Sequence, residues 1–143
     1  SYQVNADPAV QGNGELVVTG IGATNSYAIA DDTFENGFKW VFRVTVPTTE
    51  TQFSMKFSDF VSGANSILAA NNIRFYSAQS SDASASTTAM MITASNTYSS
   101  PITLATDLDS SVAGRQIDVT VEMKVPTGTA GGSYSASYGV QSL

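Results

Sequence analysis

Along residues 38–46 the side chains Phe38, Trp40, Phe42, Val44 and Val46 take every second position, with Lys39, Val41, Arg43 and Thr45 between them, and Pro47 follows. A period of two predicts a β-strand with one dry face, and a proline, lacking an N–H, ends its ladder. Trp40 is the single tryptophan; its neighbours on that face are all apolar, and exposing them would leave a hydrophobic stripe. The alternation therefore predicts Trp40 in the core. Phe53, Met55 and Phe57 alternate with Ser54, Lys56 and Ser58 in a second strand, reached by a hairpin or by a crossing to an adjacent sheet.

A third strand sets Ile117, Val119, Val121, Met123 and Val125 against Asp118, Thr120, Glu122 and Lys124 before Pro126. A slip of one residue would turn three charges inward, so its register is well specified. The last run, with Tyr134, Ala136, Tyr138 and Val140 on one side, is entered through the turn "PTGTAGG" and is expected to pair with the third strand. Weaker strand patterns lie at 15–23, 72–79, 87–95 and 101–105, while Gly and Asn within 61–70 argue for a loop there. Seven to nine short strands divided by Gly, Ser, Asn and Pro predict an all-β fold, a single antiparallel β-sandwich of immunoglobulin-like or jelly-roll type spanning 15–143.

The chain has 143 residues, enough for one domain to remove roughly 70% of its unfolded surface from water unaided. It contains no Cys and no His, which removes thiol nucleophiles, the usual neutral-pH base and most transition-metal ligands. Phosphate loops and nucleophile elbows are missing, and none of the carboxylate pairs stands in a recognisable glycosidase context. The expectation is a protein that is not an enzyme and needs no cofactor.

A net charge of −6 gives no electrostatic source for binding nucleic acid. No apolar window reaches the 18 or so residues of a membrane helix, so membrane insertion is not expected. The small, polar composition and the opening Ser1 point to a secreted protein, extracellular or at the cell surface.

Three groups of residues offer binding chemistry. Asp31, Asp32, Glu35 and Asn36 crowd oxygen ligands into six positions before the first strong strand, a candidate calcium site without the EF-hand spacing; Asp107 and Asp109 form a second acidic turn. Tyr27, Tyr76 and Tyr98 stand near turns or on polar faces, where they offer platforms for glycans. In residues 1–14, Tyr2, Val4 and Ala6 alternate with Gln3 and Asn5 before Pro8, Val10 and a Gly-rich joint, which reads as a strand on a tether. Such a strand closes its own sheet or fills the sheet of a neighbouring copy.

The segments "NGFKWVFRVTVPTTETQFSMKFSDF" and "VEMKVPTGTAGGSYSASYGVQ" together resemble small secreted surface β-sandwich proteins of prokaryotes, the camelysin/TasA-like fibre subunits and the WxL-like surface domains. The match to a final "VP…GTxxGxY" turn falls on Val125, Pro126, Gly128, Thr129, Gly132 and Tyr134; the WxL signature is absent. The resemblance implies a surface or fibre building block. The leading expectation is a homopolymeric, pilus-like or matrix filament joined by β-strand complementation. Tyr2, Val4, Ala6 and Val10 would be the subunit interface, and Trp40, Phe42, Phe57, Val121 and Tyr138 the accepting core. A carbohydrate-binding or adhesin-like module, a hydrolase using a carboxylate pair, and a viral capsid or decoration protein are the alternatives.

Overall fold

The computed structural model describes residues 17–46, 50–78, 89–103 and 115–143. These contain ten strands: β1 (Val17–Ala23), β2 (Phe38–Val46), β3 (Gln52–Phe57), β4 (Phe60–Ser62), β5 (Asn65–Ile67), β6 (Ile73–Ala78), β7 (Met90–Met91), β8 (Ile102–Thr103), β9 (Arg115–Met123) and β10 (Tyr138–Ser142). They form antiparallel sheets with the orders β1-β2-β9-β6-β7 and β10-β3-β8, and a small β4-β5 hairpin. The described residues include no helix, and the fold is the all-β, sandwich-type architecture that the alternation predicts.

Inward positions of the larger sheet are Phe42, Val44 and Val46 on β2, Ile117, Val119, Val121 and Met123 on β9, and Ile73 and Phe75 on β6. They meet Phe53, Met55 and Phe57 of β3, Ile102 of β8 and Val140 of β10. Aromatic pairs bridge the layers: Phe53 meets Phe75 edge-on at 6.2 Å, and Phe42 meets Tyr138 at 5.1 Å.

Register alone decides what lies on the outer face of the larger sheet. Lys39 and Arg74 both stand opposite Glu122, and Arg43 stands opposite Asp118, so opposite charges are cross-strand neighbours. Glu122 accepts from Arg74 at 2.8 Å and lies 3.2 Å from Lys39 Nζ, while Arg43 Nε donates to Asp118 at 3.0 Å. The charges that a register slip would bury are thus satisfied where they stand.

Two expectations need correction, and of the two connections expected between the first pair of strong strands one is selected. β10 pairs with β3, not with β9, because β9 is already flanked on both sides by β2 and β6 and the intervening chain carries β10 to the opposite layer. β2 and β3 lie in different sheets, so their connection is a crossing and not a hairpin turn. The stretch read as a loop at 61–70 contributes to a hairpin: Gly63, with φ of 60°, makes the turn, and Phe60 and Ile67, paired across it, are buried. Residues 1–14, with Tyr2, Val4, Ala6 and Val10, and the acidic pair Asp107 and Asp109 lie outside the described residues.

Candidate functional site

Burial along β2 is graded. Val44 and Val46 are fully enclosed, whereas Phe38, Trp40 and Phe42 are only partly buried. The alternation orients Trp40 toward the core side as expected, but the opposite layer does not cover it completely. The physical reason is width. Among the described residues the larger sheet has five strands and the smaller three, a difference of roughly 10 Å at the usual strand spacing.

The uncovered strip is an open, largely apolar cleft of about 230 Å³ lined by Trp40, Phe42, Phe57, Phe60, Val121, Tyr134, Ser135, Ala136 and Tyr138. All five residues expected to form an accepting core, Trp40, Phe42, Phe57, Val121 and Tyr138, are in this lining, and none of the nine side chains is charged.

The cleft is built by recognisable local rules. Trp40 is held between Phe38, at 5.6 Å, and Phe60, at 5.9 Å, both nearly parallel to it. The wall opposite β2 is the segment entering β10. Ser135 and Val61 exchange backbone hydrogen bonds at 3.0 and 2.9 Å, and Ser137 accepts from the Ser58 N–H at 2.9 Å while donating to Ser58 Oγ at 2.8 Å. With Ser135 and Ser137 tied to 58–61, the alternate residues Tyr134, Ala136 and Tyr138 line the cleft.

The preceding turn is fixed by Gly128 at φ 87°, by the Thr129 N–H and Oγ1 donating to Pro126 O, and by the Tyr134 hydroxyl donating to Ala130 O at 2.6 Å. The "VP…GTxxGxY" residues therefore shape one end of the cleft. The sequence pattern signals neither Phe60 nor Tyr134 there: Phe60 precedes a stretch whose Gly and Asn argue for a loop, and the period of two places Tyr134 in a regular final strand.

The acidic loop sits elsewhere, against the outer face. Asp31 accepts from Thr33 Oγ1 at 2.7 Å and from Asn36 Nδ2 at 2.6 Å, using both carboxylate oxygens. The hydrogen bond from Asn36, then those from Thr33, hold its pKa below the ordinary carboxylate value. Asp32, at φ 62°, donates its N–H to Val125 O and faces Lys124 Nζ at 3.5 Å. Phe34 lies under the guanidinium of Arg74 at 4.0 Å and near Lys124 at 5.7 Å, which pins the loop to the sheet. Glu35 and Asn36 are exposed, and the described residues bring no three acidic groups into one ligand set.

The tyrosines separate. Tyr98 lies with Lys56 Nζ 5.0 Å from its ring centroid and donates to Val140 O; Tyr76 is half-buried on β6; Tyr27 is 75% exposed.

No family model matches this sequence, and no curated protein matches it. Among solved structures, the chain is similar to a family 123 glycoside hydrolase from Clostridium perfringens, described for glycolipid glycan hydrolysis, at 13% identity and a TM-score of 0.49. The similarity covers 90% of this chain and 24% of that one, so this chain spans about a quarter of the hydrolase's length. The expectation that this chain is not an enzyme is withdrawn: the absence of Cys and His excludes particular chemistries and leaves carboxylate chemistry open.

Proposed function

We propose that this chain is an extracellular structural subunit whose cleft receives the N-terminal segment of a neighbouring copy, so that copies join into a pilus-like or matrix filament. The observation that carries the reading is the partly covered row Phe38, Trp40, Phe42 on the cleft side of β2. Successive residues of that row stand about 6.6–6.8 Å apart, the repeat of any extended strand. A segment with apolar side chains at alternate positions matches it in spacing and chemistry, and Tyr2, Val4 and Ala6 have that pattern.

The uncharged lining suits the same segment, whose first six residues carry no side-chain charge. Pro8 ends the matching stretch, and Gly12 and Gly14 supply a joint before β1. Head-to-tail insertion propagates into a filament wherever the rotation between copies does not close a ring.

Electron microscopy of the intact protein tests the reading: fibres are expected, and deletion of residues 1–12 should leave monomers. The synthetic peptide of residues 1–12 should then bind the truncated protein and raise its melting temperature. Intact chains that remain monomeric at high concentration, or fibres that persist after the deletion, overturn it.

A further inference from the structure

We infer that the hollow around Tyr27 is a second binding site, separate from the cleft lining above, and that it takes a pyranose ring of a glycan. Tyr27, 75% exposed, and Ile29, 54% exposed, stand beside Thr24, Asn25, Ser26, Glu35, Asn36 and Gly37 around an open hollow of about 450 Å³. That volume is within the range of small-molecule sites.

An exposed tyrosine by itself needs no explanation, but this one is mounted on a braced bend. Asn25 uses its whole amide for the bracing: Nδ2 donates to Tyr27 O at 2.8 Å and to Gly37 O at 2.9 Å, and Oδ1 accepts from the Lys39 N–H at 3.1 Å. The Thr24 N–H and hydroxyl both donate to Lys39 O, and the Ile29 N–H donates to Asn36 O at 2.9 Å. These bonds fix the backbone on both sides of the ring before any ligand arrives, which lowers the ordering cost of binding.

The polar wall is available. The Ser26 hydroxyl and the Glu35 carboxylate have no partner among the described residues, and Asn36 commits its amide nitrogen to Asp31 while Oδ1 is left over. A flat aromatic surface next to uncommitted acceptors and a hydroxyl complements a ring with a C–H face and a hydroxyl rim. An aliphatic ligand would leave those polar groups without partners, and a nucleic acid would meet the wrong charge.

One platform gives weak affinity, on the order of 1 mM per site. Display on a polymer would raise it by avidity, a gain that is absent if the chain stays monomeric.

The test is a glycan array probed with the intact chain, followed by ligand-observed NMR with each oligosaccharide the array selects. Tyr27→Ala should weaken binding about tenfold, Tyr27→Phe should retain it within about twofold, and Glu35→Gln should weaken it, all with unchanged urea midpoints because these side chains are exposed. Absence of any oligosaccharide bound at 10 mM (roughly ten times the per-site value), or binding that survives Tyr27→Ala, overturns the inference; neither result bears on strand insertion, which the fibre and peptide experiments decide.

Discussion

The ladder Lys39–Glu122–Arg74 makes an asymmetric prediction. Glu122 presents only 8% of its side chain to solvent, whereas Arg74 and Lys39 present 35% and 44%. Removing a cation leaves a buried carboxylate short of a partner, and the shortfall depends on which cation leaves. Lys39, 3.2 Å away and largely hydrated, forms the kind of pair worth about 0–1 kcal/mol. Arg74 donates at 2.8 Å to Glu122 and also lies 4.0 Å over Phe34. A hydrogen bond to a charged group contributes about 1.5–3 kcal/mol and an exposed cation–π contact about 0.5–1.

Lys39→Met should therefore cost under about 1 kcal/mol and Arg74→Met about 2–4, with Glu122→Gln between them because its amide oxygen still accepts from Arg74. The double variant Arg74→Met/Glu122→Gln should cost less than the sum, since the second change removes the stranded charge. Urea unfolding with a common slope gives these differences directly. Arg74→Met and Lys39→Met agreeing within about 0.5 kcal/mol, or strictly additive effects, would refute the reasoning.

Phe75→Ala removes one partner of the edge-on Phe53 pair from a fully enclosed position and should cost about 3–5 kcal/mol, measured by the same unfolding. Gly37→Ala places a Cβ against the carbonyl of Met123, a backbone atom that cannot swing aside, and should destabilise by about 1–3 kcal/mol or more, whereas Gly63→Ala meets open space and suffers only its left-handed φ. Asp31 titrates below its ordinary value in the folded chain, so its carboxylate contributes stability that is present above the unfolded value near 3.9 and lost as pH falls through the folded one; Asp31→Asn should flatten that part of the melting temperature against pH curve. Both Asp31 oxygens are already engaged and Asp32 faces Lys124, so EDTA should leave the melting temperature unchanged; a rise of several degrees on adding calcium would show that ligands displace these bonds.

The primary sequence determines by itself what short-range physics controls. The period of two in 38–46 and 117–125 fixes strands, the side of each that is dry, and the face on which Lys39, Arg43, Asp118 and Glu122 stand, because a slip of one residue inverts every side chain. The acidic turn before β2 was legible for the same reason: its bonds run among neighbours, from Thr33 and Asn36 to Asp31. Grouping Trp40, Phe42, Phe57, Val121 and Tyr138 was also legible, since inward residues of a sandwich have only each other to meet.

Which strand sits beside which was not. The choice of β3 over β9 as partner of β10 depends on which edges remain open after β2 and β6 have paired with β9, a property of the whole sheet. The difference in width between the two layers is equally global, and it turns Trp40 from an enclosed anchor into the floor of a cleft. Phe60 reaches that cleft from β4, and Tyr27 is held out beside Glu35 by the hydrogen bonds that Asn25 donates to Gly37 O and accepts from the Lys39 N–H, twelve and fourteen residues away. Alternation decides which way a side chain points; only the assembled sheets decide what, if anything, lies opposite it.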